Sequence, residues 1–341
     1  MKIVIPGGSG QVGTMVARAF HAEGHEVVVL SRRPGTWPWR VIEWDGARLG
    51  SWTNELDEAD VLLNLTGRSV NCRYTADNRR EILESRLQST RVLGRALAAV
   101  HRPPRVWLQA STATIYAHRY DAPNDEIAGI IGGDEAGAPA TWRFSIDVAR
   151  AWESAFNEVQ APATRKVTLR SAMTMSADRG GVFDALLALV RRGQGGAIGD
   201  GRQFMSWVHE EDFIGAVRWL IAHHEIDGIV NISSPNPMPN DEFMRVLRDA
   251  YGIRVGLPTA RWMLEVGALF LRTESELVLK SRRVVPRRLL EHGFEFAFPS
   301  WPEAARDLCR AWTSTRRGGG AYTPTEVRRR QTTTPEGATS R

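Results

Sequence analysis

Near its start the chain reads KIVIPGGSGQVGTMVARAFHAEGHEVVVLSRR, residues Lys2–Arg33. A short apolar run is followed by Gly7, Gly10 and Gly13, then by a helical repeat of apolar residues and a second apolar run at Glu26–Leu30. This pattern predicts a strand, a glycine-rich turn, a helix and a second strand. In such a turn, one glycine allows the tight bend and a second lets the backbone approach a pyrophosphate. The third allows the helix to pack closely on the strand. The segment therefore predicts a nucleotide site at a helix N-terminus.

The residues directly after the second strand bear on which nucleotide is bound. A site that prefers NAD usually places an acidic residue there, to hold the ribose 2′-hydroxyl. This chain has Arg32 and Arg33 instead, and guanidinium groups suit a 2′-phosphate. The sequence therefore favours NADP(H) as the cofactor. The alternative is that both arginines are ordinary surface charges.

The net charge of +5 does not predict a nucleic-acid partner. Six arginines and two acidic residues fall within 313–341, so this segment carries +4 of the total. The remaining body is close to neutral and contains no known nucleic-acid motif. Because 313–341 is rich in Gly, Thr, Pro and Arg without periodicity, we expect a disordered basic tail from Thr313 onward.

Other broad classes are disfavoured by simple observations. The apolar stretch Trp262–Leu271 is interrupted by Glu265 and is too short to span a bilayer, so no membrane partner is expected. No secretion signal precedes the first strand. Cys72 and Cys309 cannot form a disulfide framework, and neither belongs to a metal-binding set. We therefore expect a cytoplasmic protein without a metal site. The signatures of serine hydrolases, zinc proteases and P-loop kinases are missing.

Strand-like and helical segments alternate along most of the chain. This order predicts an α/β fold, a Rossmann doubly wound parallel sheet with a smaller C-terminal α+β substrate lobe. The motif GFEFAFP at Gly293–Pro299 alternates like a short strand of that lobe. The expected division is a nucleotide-binding domain at 1–170, completed by 206–232, and a substrate lobe at 171–205 and 233–312.

Several motifs resemble the extended short-chain dehydrogenase/reductase superfamily, namely GGSGQVG, STATIY and GRQFMSWVHEED. Longer segments look like one of its subfamilies, labelled epimerase or nucleoside-diphosphate-sugar epimerase, which carries a C-terminal domain of unknown function. These segments include VLLNLTGRSVNCRYTADNRREILESRLQSTRVL and RRVVPRRLLEHGFEFAFP. The resemblance covers about residues 1–312. It implies a small-molecule substrate held under the C-terminal lobe, and makes a homodimer reasonable. The candidate NADP(H) contacts are Gly7, Gly10, Gln11, Val12, Gly13, Arg32, Arg33, Leu65, Thr66, Gly67, Arg86, Ala110, Ser111 and Arg170.

Catalysis in that superfamily uses a Ser or Thr, a Tyr, and a Lys four residues after the Tyr. Thr112 matches the first position, but the alignment places Phe144 and Val148 at the other two. No tyrosine in the chain has a lysine four residues later. Tyr116 and His209 are the candidate replacements for proton transfer. A packing role for Tyr116 and a structural role for His209 remain the alternatives.

Two functions are compatible with these observations. The first is an NADP(H)-dependent oxidoreductase or epimerase-like enzyme that acts on a small carbonyl or hydroxyl compound, with sugar nucleotides among the options. The second is a non-catalytic NADP(H)-binding protein that senses redox state or binds a partner. The loss of the Tyr and Lys motivates the second function.

Overall fold

The fold is built on seven parallel strands. The computed structural model describes residues 1–33, 35–135, 139, 142–258 and 279–317. The strands lie in the order β10-β6-β5-β4-β1-β2-β3, and every neighbouring pair is parallel. These strands are β1 (Lys2–Pro6), β2 (Glu26–Ser31), β3 (Arg40–Glu43), β4 (Val61–Asn64), β5 (Val106–Thr112), β6 (Arg165–Ser171) and β10 (Gly228–Ile232).

The strand order reverses direction between β1 and β4, and ligands of such sheets bind at the carboxyl ends of the strands beside this reversal.

The helices of the described residues are α1 (Gln11–Ala22), α2 (Ala76–Leu97), α3 (Arg143–Asn157), α4 (Val182–Arg191), α5 (Glu210–Ala222), α6 (Asn240–Tyr251), α7 (Arg287–Glu291) and α8 (Trp301–Arg317).

Both faces of the sheet are covered by helices. Ile3 and Ile5 of β1 face a core formed with α1 and α5, whereas Val4 faces a core formed with α2 and α3. Burial on both sides explains why the strands read as continuous apolar runs in the sequence. The sheet is therefore a Rossmann-like doubly wound fold, as predicted.

A smaller C-terminal region has its own core. Helices α4, α6 and α8 pack together with two short pairs of strands. The strands of these pairs are β7 (Met173–Met175) with β9 (Trp207–His209), and β8 (Phe204–Met205) with β11 (Met238–Pro239). The rings of Phe243 and Trp301 stack with their centroids 3.9 Å apart, which joins α6 to α8.

Two predictions about the C-terminal region are wrong. Gly293–Pro299 forms no strand, because Ala297 and Phe298 donate their backbone N–H groups to the Asp212 carboxylate, at 2.6 and 3.1 Å, rather than to a neighbouring strand. Residues 313–317 belong to α8, where Trp312 and Arg316 contact Asp184, so the disordered tail does not begin at Thr313. The rest of the predicted tail, and the apolar stretch 262–271, lie outside the described residues.

The structure adds a strand, β3, that the sequence did not indicate. Its four residues, RVIE, are only partly buried at the edge of the sheet, so they lack a long apolar run. Among the described residues, no helix has the length and apolar character needed to cross a membrane.

Candidate functional site

The glycine turn between β1 and α1 brings three parts of the backbone into close contact. Gly7 has φ +76°, and a Cβ at this position would lie 2.8 Å from the Thr66 Cα. A Cβ at Gly13 would lie 2.5 Å from the Gly8 Cα, so α1 packs tightly on the turn. Gly10 is the N-cap residue of α1 and provides no side-chain cap. The turn therefore leaves the first N–H groups of α1 open to a ligand.

Gly8 is a further closely packed glycine of this turn, and the sequence did not indicate it. A Cβ there would lie 2.6 Å from a methyl group of Val29 in β2. Its position next to Gly7 was the available signal, but the three-residue spacing indicated Gly7, Gly10 and Gly13 instead. Val12, one of the candidate contacts, packs its half-buried side chain against the core beneath α1.

Two buried polar atoms beside the turn fit a polar ligand. Gln11 Nε2 and Thr66 Oγ1 make no hydrogen bond with the described residues. The Gln11 amide lies against Gly181, where a Cβ would be only 1.7 Å away from its nitrogen. Because buried polar groups normally have partners, these atoms indicate a ligand with hydrogen-bonding groups. The pyrophosphate of a dinucleotide, held at the start of α1, has the required chemistry.

The end of β2 is joined to the glycine turn by two serines. The hydroxyls of Ser9 and Ser31 lie 2.9 Å apart, and the Arg33 N–H donates to Ser31 Oγ at 3.2 Å. The side chains of Arg32 and Arg33 are exposed, and neither forms an ion pair within the described part of the chain. The sequence indicated neither serine, since an isolated serine carries no pattern.

Leu65, Thr66 and Gly67 follow β4 at the same edge of the sheet. The Leu65 N–H donates to the Pro6 carbonyl at 2.9 Å, which extends the contact between β1 and β4. The guanidinium of Arg86, on α2, lies against Gly67, and a Cβ on that glycine would be 3.0 Å from the Arg86 Cζ. Gly67 therefore allows the Arg86 cation to approach the edge where the cofactor is expected.

Arg86 has carbonyl partners but no carboxylate partner among the described residues. Its Nη1 donates to the carbonyls of Ile82 and Arg68, at 2.8 and 3.1 Å. Its guanidinium also lies over the ring of Trp152, 5.1 Å from the centroid. Burial lowers the pKa of Arg86 to about 10, although the charge of Tyr74 acts to raise it.

Ser111 and Arg170 are already engaged by a carboxylate. Ser111 Oγ donates to Glu153 at 2.6 Å, and Arg170 donates to both oxygens of Glu153 at 2.8 and 2.7 Å. Burial alone would lower the pKa of Arg170, but the pairing with Glu153 raises it overall. These contacts favour a structural role for both side chains. The neighbouring Ala110 lies opposite Leu169 of β6 and is half-buried.

Thr112 ends β5 with its hydroxyl proton available. Thr112 Oγ1 accepts a hydrogen bond from the Thr114 N–H at 3.1 Å. Within the described part of the chain, this hydroxyl has no acceptor for its own proton. The arrangement orients the Thr112 hydroxyl as a donor, which suits contact with a substrate oxygen.

The structure places Tyr116 in the core. Its side chain is 2% exposed, its hydroxyl donates to Asn231 Oδ1 at 2.9 Å, and Arg170 lies over its ring. Burial raises the pKa of Tyr116, which disfavours proton transfer near neutral pH. These contacts favour the packing role that the sequence left open.

His209 has a structural environment of the same kind. It is 1% exposed and caps α5, where its Nδ1 accepts from the Glu211 N–H at 3.2 Å. Its ring stacks on Phe298, and its Nε2 lies 3.5 Å from a carboxylate oxygen of Asp307 on α8. The contacts of His209 therefore link α5 to the C-terminal region.

Two cations beside Thr114 were not indicated by the sequence. Lys280 donates to the Thr114 carbonyl at 2.8 Å, and Arg282 Nε donates to Thr114 Oγ1 at 3.2 Å. Both side chains are buried. They come from a segment distant in sequence. Arg282 begins the RRVVPRRLLEHGFEFAFP segment, but the resemblance gives it no role, so only the folded chain reveals that both cations adjoin the end of β5.

The positions expected for the catalytic Tyr and Lys are apolar in the folded chain as well. Phe144 lies in the first turn of α3 and is half-buried, and Val148 is buried one turn later. The ring of Tyr74 approaches Phe144 edge-on, with 5.0 Å between the centroids. The guanidinium of Arg79 lies over the Phe144 ring at 4.9 Å.

Comparisons with known proteins agree with this architecture. The sequence model of the NAD dependent epimerase/dehydratase family matches residues 3–233, and that of a Domain of unknown function (DUF1731) matches residues 259–308. The bovine Epimerase family protein SDR39U1 is 32% identical over 312 residues, covering 90% of this chain and 99% of the relative. These matches confirm the resemblance stated from the motifs.

Solved structures show the same relationship. Human epimerase family protein SDR39U1 (isoform 2), solved with NADPH, has a TM-score of 0.79 and 29% identity, over 91% of this chain and 99% of that chain. The nucleoside-diphosphate sugar epimerase from Corynebacterium glutamicum has a TM-score of 0.70 and 26% identity, over 91% of this chain and 58% of that chain. The chain therefore belongs to the NAD dependent epimerase/dehydratase family.

Proposed function

We propose that this protein binds NADP(H) and uses it to oxidise or reduce a small hydroxyl or carbonyl compound. The observation that carries the choice of cofactor is the end of β2. There Arg32 and Arg33 are exposed beside Ser31 and Ser9, and they form no ion pair with the described residues. Guanidinium and hydroxyl donors match the oxygens of a 2′-phosphate. The human relative solved with NADPH supports the same cofactor.

The proposed cofactor site follows the carboxyl edge of the sheet. Gly7, Gly10 and Gly13 admit the pyrophosphate, Gln11 and Thr66 offer polar atoms to it, and Arg32 and Arg33 hold the 2′-phosphate. When bound, NADP(H) supplies or accepts a hydride. The candidate domain division is retained: 1–170 with 206–232 holds the cofactor, and 171–205 with 233–312 covers the substrate.

Thr112 is the proposed substrate-orienting residue. Its hydroxyl is fixed by the Thr114 N–H and can donate to the oxygen of the reacting carbonyl. Lys280 and Arg282, next to Thr114, place positive charge at the same end of β5.

A turnover assay tests the catalytic part of the proposal. Purified protein with NADPH and a panel of carbonyl compounds, sugar nucleotides included, is expected to consume NADPH absorbance. Thr112→Ala is expected to lower kcat by about a hundredfold, because one donor to the developing oxyanion is lost. Thr53→Ala is the matched control, since Thr53 is distant from Thr112 in sequence. Among the described residues, its hydroxyl donates to the Gly50 carbonyl alone.

The second candidate function is that of a non-catalytic NADP(H)-binding protein, and one observation favours it. Phe144 and Val148 remove the usual proton-transfer pair, while Tyr116 and His209 are held in the core. NADPH binding without turnover across the whole panel would support this function and contradict catalysis. The unpaired thiols of Cys72 and Cys309 fit a cytoplasmic location, and a homodimer remains part of the proposal.

A further inference from the structure

A phenol lies beside the α3 position from which the usual catalytic tyrosine is absent. Tyr74 belongs to the segment that leads from β4 into α2, and its ring meets the Phe144 ring edge-on at 5.0 Å and 68°. Tyr74 is half-buried, in contrast to Tyr116, which is 2% exposed. The hydroxyl-bearing ring is therefore present near this position but comes from a different element.

A cation accompanies this phenol. Arg86 lies between Gly67 and Trp152, and its Nη1 donates to the Arg68 carbonyl at 3.1 Å. Arg68 in turn donates to Asn78 Oδ1 at 2.7 Å, and this contact connects Arg86 to the start of α2 beside Tyr74. A negative charge on the Tyr74 hydroxyl would raise the pKa of the Arg86 guanidinium. No carboxylate within the described part of the chain pairs with Arg86, so its charge is not neutralised by an acidic neighbour there. A nearby positive charge stabilises a phenolate relative to a phenol.

The start of α2 holds Tyr74 in place. Thr75 caps the helix by accepting from the Asn78 N–H at 3.3 Å, and Asn78 donates its side-chain amide to the Arg73 carbonyl at 2.6 Å. Arg79 Nε donates to the Tyr74 carbonyl at 3.0 Å, while its guanidinium lies over Phe144. The backbone on both sides of Tyr74 is thus fixed by side chains, as a positioned catalytic group requires.

We propose that Tyr74 is the proton-transfer residue and that Arg86 is its positioning cation, together replacing the Tyr and Lys expected on α3. This inference rests on the proposed oxidoreductase function. In the reducing direction the carbonyl carbon gains a hydride from NADPH, and the carbonyl oxygen gains the phenolic proton of Tyr74. The products are the alcohol, NADP⁺ and the Tyr74 phenolate, which takes a proton from water. The oxidising direction reverses each transfer.

The first test needs neither substrate nor cofactor. The ultraviolet difference between wild type and Tyr74→Phe, recorded against pH, isolates the tyrosinate absorbance of Tyr74 from that of the other four tyrosines. Arg86→Met is expected to move this signal to higher pH by about one unit or more, and Arg86→Lys to restore most of the shift. A signal that Arg86→Met leaves unchanged overturns the proposed pair.

Other charged groups lie near the Tyr74 and Phe144 rings, and they are the same in the wild type and in the Arg86 variants. Arg79 contacts Phe144 from α2, and Arg143, adjacent to Phe144, lies 3.8 Å from the Asp147 carboxylate in α3. Both remain in every Arg86 variant, so a shift on Arg86→Met reports the Arg86 charge. The retained charge in Arg86→Lys separates this effect from a change in packing.

The second test measures turnover in the intact protein. With a carbonyl that the wild type reduces, Tyr74→Phe is expected to lower kcat by roughly a hundredfold or more and to leave NADPH affinity unchanged. Tyr251→Phe is the matched control, because Tyr251 packs on Trp312 in the C-terminal core. Full turnover by Tyr74→Phe overturns the inference while the proposed function stands. If the wild type reduces no carbonyl, the proposed function fails, and the absorbance test alone decides whether Tyr74 and Arg86 form the pair.

Discussion

Single glycines set the geometry of the candidate cofactor site. At Gly7 and Gly13, in the turn after β1, the nearest atoms to an added Cβ are backbone atoms, so no side chain can rotate away to relieve the contact. Gly13 is the clearest case, since it lies in α1, where alanine would otherwise be the better helix former. The tertiary contact with Gly8, rather than backbone propensity, therefore explains the glycine.

We expect Gly13→Ala to destabilise the protein. The added Cβ would lie 2.5 Å from Gly8 Cα, and relieving such overpacking costs about 1–3 kcal/mol of unfolding free energy. Urea unfolding checks the value. The control is Gly215→Ala in α5, where the added Cβ would meet only Phe294 at 3.5 Å, so that a gain of up to about 1 kcal/mol is expected. Equal effects at the two sites would contradict this account.

Residue roles were harder to predict than residue positions. The spacing of Gly7, Gly10 and Gly13 is a local pattern, and the folded chain places all three at the turn. Side-chain chemistry alone indicated Tyr116 and His209. In the folded chain Tyr116 contacts Asn231 and His209 contacts Asp307, and both partners are distant in sequence. A single sequence does not encode such distant partners in any local pattern.

Helix α3 lacks the Tyr and the Lys that the resemblance to the superfamily implies. It retains its apolar face toward the sheet, but it carries Phe144 and Val148 in place of the proton-transfer pair. One turn later it buries Glu153, which binds Ser111 of β5 and Arg170 of β6. The helix therefore joins the ends of two neighbouring strands through a buried ion pair.

Removal of the Glu153 carboxylate should be strongly destabilising. Glu153 and Arg170 are 8% and 6% exposed, and Glu153→Ala leaves the Arg170 charge buried without its partner. Breaking a buried pair in this way costs about 3–5 kcal/mol. Glu158→Ala is the matched surface control, with an expected loss of no more than about 1 kcal/mol. Chemical unfolding of both variants measures the difference, and a loss at Glu153 as small as that at Glu158 would contradict the assigned role.

Elements were predictable where one local signal dominated. Strands β1, β2 and β4 contain short continuous apolar runs and were predicted, whereas β3 is a partly exposed edge strand and was not. GFEFAFP alternates like a strand, but its aromatic side chains pack on two separate cores and Asp212 takes two of its N–H groups. Alternation of apolar and polar residues does not by itself distinguish a strand from an irregular segment whose side chains pack on separate cores.

At the scale of the whole molecule, the cofactor and substrate parts of the candidate site come from different regions. The sheet edge provides the glycine turn, Arg32 and Arg33, while Lys280 and Arg282 reach the end of β5 from the C-terminal region. The proposed cofactor part has a sequence signature, because the glycine turn that would hold the phosphate is one short contiguous segment. The substrate part has none, because it is assembled from segments that only the fold brings together.

Calorimetric titration of the wild-type protein with NADPH and with NADH tests the central claim, that the chain is an NADP(H)-dependent member of its family. NADPH should bind more tightly by roughly tenfold to a hundredfold, as expected for one added charge-assisted contact to the 2′-phosphate. Arg32→Ala should remove most of this preference and leave NADH affinity unchanged. Equal affinity for the two dinucleotides in the wild type, or binding of neither, would contradict the account.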